Sequence, residues 1–143
     1  MSSIDEIKQE ISIHTDWLCQ QLEEFRLQTK LSGKLNNGCW ANENGVIVGW
    51  VGYCPHNDQA EDNIELVFWF SENENKDKCD FDVGVCWTDG SMIHNIAEND
   101  NIDIDNAISR IKIIIEQEKT RSLAEMKKQM LIDRPPYYHD EYK

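Results

Sequence analysis

The sequence has no long apolar segment. Its longest runs of consecutive apolar residues cover about five positions, whereas a helix that crosses a bilayer needs about 20. The first residues are polar and amphipathic, and they do not combine a basic stretch with an apolar stretch as secretory leaders do. We therefore expect no membrane association, no leader peptide and a cytoplasmic location.

Basic residues are scarce and unevenly placed. The 143 residues contain 14 lysines and arginines against 27 acids, which gives a formal net charge of -13. Residues 36–107 hold 15 of the acids but only Lys76 and Lys78, so this middle segment carries the whole excess. Binding to nucleic acid or to an anionic membrane needs Lys and Arg facing phosphate, so direct binding to either is disfavoured. Charge complementarity favours a basic protein partner instead.

Recognisable catalytic motifs are missing. The chain contains no G-x-S-x-G, P-loop, H-E-x-x-H or G-x-G-x-x-G pattern, and its four histidines are scattered. Asp80 and Asp82 form a carboxylate pair, but such neighbours on one face of a strand are common without chemistry. The segment 98–103 resembles a calcium loop but lacks the central glycine and the final glutamate of an EF-hand, which predicts an acidic loop there. We expect a protein that is not an enzyme and has no cofactor.

The cysteine pattern favours neither disulfides nor zinc. There are five cysteines, an odd number, and no C-x-x-C pair. Irregular spacing without a leader peptide is typical of reduced thiols in a cytosolic protein. Cys54-Pro55-His56 is the nearest approach to a metal half-site, but zinc normally needs two well-spaced ligand pairs, so we interpret it as a strand end and a turn. The sequence predicts five free thiols and no structural metal.

The N-terminal segment has the apolar periodicity of a helix. Apolar residues recur every three or four positions from Ile4 to Phe25, which predicts a helix over 4–31. Ser32-Gly33 is the predicted stop. His14 falls on the apolar face, where a core histidine is expected rather than a catalytic base.

The C-terminal segment predicts a second helix. It extends from Asp103 or Asp105, either of which can cap it, to about residue 131, and its apolar stripe weakens along the way. Two consecutive prolines then end it. The sequence therefore predicts one domain over 1–134, followed by a C-terminal tail over 135–143.

The middle of the chain has strand periodicity. Asn44-Gly45 is a strong hairpin signal, because both residues tolerate positive φ. Short β-rich runs joined by short turns favour an antiparallel meander. After a first run that ends at the hairpin, the predicted strands cover 46–53, 64–70 and 79–87, with or without a short fifth strand over 92–96. We expect an α+β fold: an N-terminal helix, an antiparallel four- to five-stranded meander and a long C-terminal helix, with both helices on one sheet face.

Alternation assigns the two faces of the third and fourth predicted strands. One face is apolar and is expected beneath the helices. The other face displays Glu65, Trp69, Asp80 and Asp82 together if the two strands form a hairpin. An exposed Trp among carboxylates is typical of a protein-binding face. The alternative is a solvated face whose Trp is covered by a loop or by the C-terminal tail. Neighbouring loops add further candidate partner-binding carboxylates: Asp58, Glu61, Asp62, Glu72 and Glu74.

In size, acidity and α+β layout the whole chain resembles bacterial immunity proteins, the antidotes to contact-dependent and other polymorphic toxins. The resemblance is one of class and carries no residue assignments. It implies an inhibitor that binds and neutralises a basic toxin domain, often a nuclease. Three alternatives are a phage or plasmid anti-defence inhibitor that mimics DNA, an acidic secretion chaperone, and a small-molecule-binding module whose pocket the five tryptophans and four tyrosines would line. Secretion chaperones are typically dimeric and interrupt their strands with a helix, and no such helix is predicted here.

Overall fold

The computed structural model describes residues 3–56, 64–73, 77–88 and 90–133, which form two helices and one five-stranded sheet. The strands lie side by side in chain order, and each is antiparallel to the next. The predicted α+β fold is confirmed. The elements are α1 (Ser3–Thr29), β1 (Lys34–Ala41), β2 (Val46–Cys54), β3 (Ile64–Glu72), β4 (Lys78–Trp87), β5 (Met92–Asp103), a single 3-10 turn (Ile104–Asn106) and α2 (Ala107–Met130).

Both helices cover the same face of the sheet. α1 packs over β1 and β2, α2 packs over β3, β4 and β5, and the two helices contact each other. The apolar stripe of each helix and one face of each strand merge into a single core. Burying one large apolar side chain stabilises the fold by about 1.5–3 kcal/mol, so these side chains decide which sheet face the helices occupy. The residues expected in this core are all buried: Leu18, Phe68, Phe70, Phe81, Val83, Val85 and Ile111.

α1 ends earlier than its sequence predicted. Lys30 adopts a left-handed conformation with φ of 59°. Its N–H donates to the Leu27 carbonyl, and the Leu31 N–H donates to the Arg26 carbonyl at 3.0 Å. These two bonds form a Schellman motif, which satisfies carbonyls that the helix end would leave unpaired. The helix therefore ends at Thr29, before the predicted stop at Ser32-Gly33. Lys30 takes the left-handed position after the helix end that glycine usually occupies.

β5 is much longer than the predicted strand over 92–96. It continues to Asp103, so the prediction of an acidic loop over 98–103 is wrong. Only Ile96 and Ile102 bury apolar side chains in its central and C-terminal part, and polar residues separate them. The pairing with β4 also shifts register in three places, which breaks the alternation that would reveal a strand. The carboxylates that project from this strand are Glu98, Asp100 and Asp103.

α2 begins at Ala107 rather than directly after Asp103 or Asp105. The N-cap is Asn106, and its side chain makes no capping hydrogen bond. The helix ends at Met130, close to the predicted position. Neither described helix is apolar enough over a sufficient length to cross a membrane. The predicted tail over 135–143 lies outside the described residues.

Candidate functional site

One face of the sheet has no described helix packed on it, and we call it the free face. Its strands turn one set of side chains to the core and the alternate set to this side. In β2, for example, Ile47 and Val51 are fully buried in the core, whereas Val48 and Trp50 are only half-buried. The free face is made of Trp40, Val48, Trp50, Glu65, Val67, Trp69, Asp80, Asp82, Asn95 and Glu98.

The strand register aligns five of these side chains in one row across the sheet. Trp40 pairs with Val48, and Val48 pairs with Trp69. Trp69 lies directly opposite Asp82, which in turn lies opposite Glu98. Paired Cβ atoms in antiparallel strands are about 4.5–5.5 Å apart, so neighbouring side chains in the row can touch one partner molecule. The row is aromatic towards β1 and acidic towards β5.

A second row makes room for the indoles. Trp50 pairs with Gly38 on one side and with Val67 on the other. A Cβ at Gly38 would overlap the Trp50 ring, so the indole lies directly over this glycine. Gly84 occupies the same row in β4, opposite Val67. The two glycines therefore leave room for larger side chains, the Trp50 indole over Gly38 and the Met92 side chain over Gly84.

A cavity of about 480 Å³ opens on the β3–β4–β5 side of the free face. This volume is within the range of about 300–1,000 Å³ that ligand clefts occupy. Part of its wall is apolar and aromatic: Val67, Trp69, Trp87 and Met92. Three carboxylates also line it: Glu65, Asp82 and Glu98. The cavity therefore combines indole surface with negative charge.

Asp82 has a perturbed environment on the free face. Its Oδ1 atom is shielded from solvent and has no hydrogen-bond partner. Burial raises the pKa of its carboxyl above the ordinary value, and the nearby charges of Asp100, Glu98 and Asp80 act in the same direction, against a backbone hydrogen bond from Asn99. A carboxylate among other acids and partly removed from water gains more from an incoming cation than an isolated surface acid does.

The predicted site residues separate into three groups. Glu65, Trp69 and Asp82 come together in the cavity wall, as the hairpin hypothesis expected. Asp80 lies on the same face one row away, where its Oδ1 accepts a hydrogen bond from the Asn101 N–H at 3.0 Å. Glu72 lies at the other end of β3, next to the Gly45 turn, and does not line the cavity. Four predicted carboxylates fall outside the described residues: Asp58, Glu61, Asp62 and Glu74.

Several residues of the free face were missed by the sequence reasoning. Trp40 and Trp50 occupy alternate positions of β1 and β2, so the same period-two rule applied to these strands would have found them. Glu98 was assigned to a loop because the polar half of β5 hides its strand character. Trp87 packs against the core and also lines the cavity.

The titratable groups of the core are separate from the free face. His14 is 6% exposed, stacks on Trp17 and meets the edge of Phe68 under α1. Burial lowers the pKa of its ring to about 4, with a smaller contribution from the charge of Lys119. It is therefore neutral at pH 7 and part of the packing. None of the five cysteines, all of which lie in the described residues, forms a disulfide, and the described ranges contain no group of three or more His, Cys, Asp or Glu arranged to hold a metal ion.

Comparison of the chain with protein-family models, with curated proteins and with solved structures finds no match.

Proposed function

We propose that this protein is an immunity-type inhibitor that works in the cytoplasm, binding and neutralising a basic toxin or nuclease domain through the free face. It acts by occupying its partner and not by catalysis. One observation carries this function: a sheet face without a described helix on it aligns Trp40, Val48, Trp69, Asp82 and Glu98 in a single row.

The aromatic half of the free face supports a protein partner. Trp40 is 45% exposed, and Trp50 and Trp69 on the same face are half-buried. Tryptophan is enriched among the residues whose truncation weakens protein interfaces by about 2 kcal/mol or more. Three indoles with valines between them offer a contiguous apolar anchor. Contiguous apolar patches that are exposed to solvent commonly mark protein interaction sites.

The acidic half supports a basic partner. A net charge of -13 creates a field that attracts cationic proteins over a Debye length of about 8 Å at physiological salt. Asp80, Asp82 and Glu98 place part of that charge beside the indoles, so the same field that accelerates encounter also orients the partner. An immunity protein must capture its toxin quickly, which is the property that such steering provides.

The aromatic residues also separate this function from DNA mimicry. A mimic of the phosphate backbone needs a regular array of charge and gains little from Trp40 or Trp50 in its contact surface. Secretion chaperones are typically dimeric, so a monomer in analytical ultracentrifugation would argue against that alternative.

The direct test is inhibition. The product of the gene immediately upstream is the first candidate partner, because an immunity gene usually accompanies its toxin gene. We expect the purified pair to form a stable complex and the activity of the partner to fall to zero at a one-to-one ratio. A partner that binds but keeps full activity would contradict the inhibitor function. Loss of inhibition in Trp69→Ala, without loss of folding, would place the free face in the interface.

A further inference from the structure

The cavity beside Trp69 is lined by both apolar and acidic side chains, which a purely apolar or purely ionic interface would not require. It combines indole and thioether surface with three carboxylates, in a pocket of about 480 Å³. We propose that this cavity receives an arginine side chain of the basic partner, with the guanidinium between the Trp69 indole and the Asp82 and Glu98 carboxylates. This inference rests on the proposed function and names the group that the free face recognises.

The geometry provides both interactions that a guanidinium makes. Trp69 and Asp82 are direct cross-strand partners, and Asp82 and Glu98 are the next pair in the same row. A planar cation that lies against the indole therefore has carboxylates beside it at the spacing of adjacent strands. Cation–π contact and charge-assisted hydrogen bonds act on the same group, and both strengthen when water is excluded.

Asp82 gives the clearest reason for a cation. Its Oδ1 atom is shielded from water and lacks a hydrogen-bond partner. A buried acceptor without a donor is unfavourable, and a cation in the cavity that Asp82 lines would offset this cost by its charge. Glu98 is exposed and held towards this region by a hydrogen bond from the Asn95 side-chain amide at 3.2 Å. The two carboxylates thus offer one partly desolvated and one solvated acceptor.

Arginine fits this site better than lysine. The guanidinium is planar, stacks on aromatic faces and is more weakly hydrated than an ammonium group, so it loses less on entering a partly apolar pocket. Its fork of donors can reach two carboxylates at once, whereas an ammonium acts as a compact point charge. The apolar wall formed by Val67 and Met92 suits the methylene stem of the side chain.

Gly84 keeps the cavity open. A Cβ at this position would lie 2.9 Å from the Met92 Sδ atom, so any side chain here would press into the cavity wall. The closest contact is with the far end of a flexible side chain. The Cβ would also lie 3.2 Å from the His94 carbonyl oxygen, which requires a shift of only a few tenths of an ångström, so Gly84→Ala is expected to fold and to narrow the site. This substitution therefore tests the cavity by shape, independently of charge.

The experiment is an NMR titration of the full chain with N-acetyl-arginine amide, followed through the five tryptophan indole N–H signals. N-acetyl-citrulline amide is the matched neutral probe, and N-acetyl-lysine amide is the matched cationic probe. We expect saturable shifts at Trp69 and Trp87 and no shift at Trp17, which lies on α1. The arginine probe should bind about tenfold more tightly than the citrulline probe, since the lost interactions are charge-assisted.

Two variants with equal loss of charge separate local binding from the overall field. Asp82→Asn combined with Glu98→Gln should weaken arginine binding about tenfold. Glu6→Gln combined with Glu24→Gln, at exposed positions of α1, should leave it within about twofold, because exposed charges at a distance are screened. Gly84→Ala should weaken the binding of all three probes.

Three results would overturn the inference: no saturable shift at Trp69 with the arginine probe, equal affinity for arginine and citrulline, or tighter binding of lysine. The proposed function fails in a different way. If the partner is inhibited normally by the Asp82→Asn, Glu98→Gln variant and by Trp69→Ala, the free face is not the interface, whatever the cavity binds. If these variants weaken inhibition but the arginine probe does not bind, the function stands and the arginine assignment falls.

Discussion

His14 makes the stability of this protein dependent on pH. Its ring is 6% exposed, and burial lowers its pKa from 6.5 to about 4 in the folded state. Between these values the unfolded chain binds a proton that the folded chain does not. The free energy of unfolding should therefore be fully maintained above pH 6.5 and should decrease as the pH falls towards 4. A factor of ten in proton affinity corresponds to about 1.36 kcal/mol, so this one group should remove up to about 3 kcal/mol.

The assay is urea denaturation between pH 7 and pH 4, comparing the native protein with His14→Leu. The variant fills the same core position without a titratable group, so its loss of stability over this range should be smaller by about 3 kcal/mol. Comparing the two proteins at each pH removes the contribution of the carboxylates, which both share. Parallel curves for the native protein and His14→Leu would refute the reasoning.

Three further predictions concern the fold and the thiols. Phe81→Ala should lower the free energy of unfolding by about 3–5 kcal/mol because the ring is fully buried; a loss below about 1 kcal/mol would mean that the faces of β4 are reversed. Gly33→Ala should destabilise the protein by about 1 kcal/mol or more in the same assay, because φ is 98° and a Cβ would overlap the Cys54 carbonyl; an unchanged midpoint would contradict this. Intact mass should show five alkylated thiols after denaturation without reductant, and fewer would indicate a disulfide or a bound metal.

The fold could be predicted from the sequence because the helical period and the two-residue strand period both indicate apolar faces that pack into one core. Leu18 lies on the apolar face of α1, and Phe68 and Phe81 lie on the apolar faces of β3 and β4. All three side chains are buried. Local sequence signals predicted the ends of helices and strands less accurately. Lys30 ends α1 in a conformation with φ of 59° that its residue type does not predict.

The candidate site could be predicted only in part. Trp69 and Asp82 follow from alternation within two strands and from the assumption that those strands pair. Glu98 required the full length of β5, which depends on tertiary contacts: Ile96 and Ile102 are its buried anchors, and the Arg121 side chain on α2 donates to the Ile96 carbonyl. The pairing of β4 with β5 also shifts register in three places, and alternation along a single strand does not predict such shifts.

The central claim is that the free face binds a basic partner. The most direct measurement is the association and dissociation kinetics of the identified partner at several salt concentrations. Asp82→Asn with Glu98→Gln should slow association more than the equally charged Glu6→Gln with Glu24→Gln, and the difference should vanish near 1 M salt, where the Debye length is about 3 Å. Trp69→Ala should accelerate dissociation by about 30-fold, the equivalent of about 2 kcal/mol. Equal association rates for the two double variants, together with unchanged dissociation of Trp69→Ala, would contradict the claim.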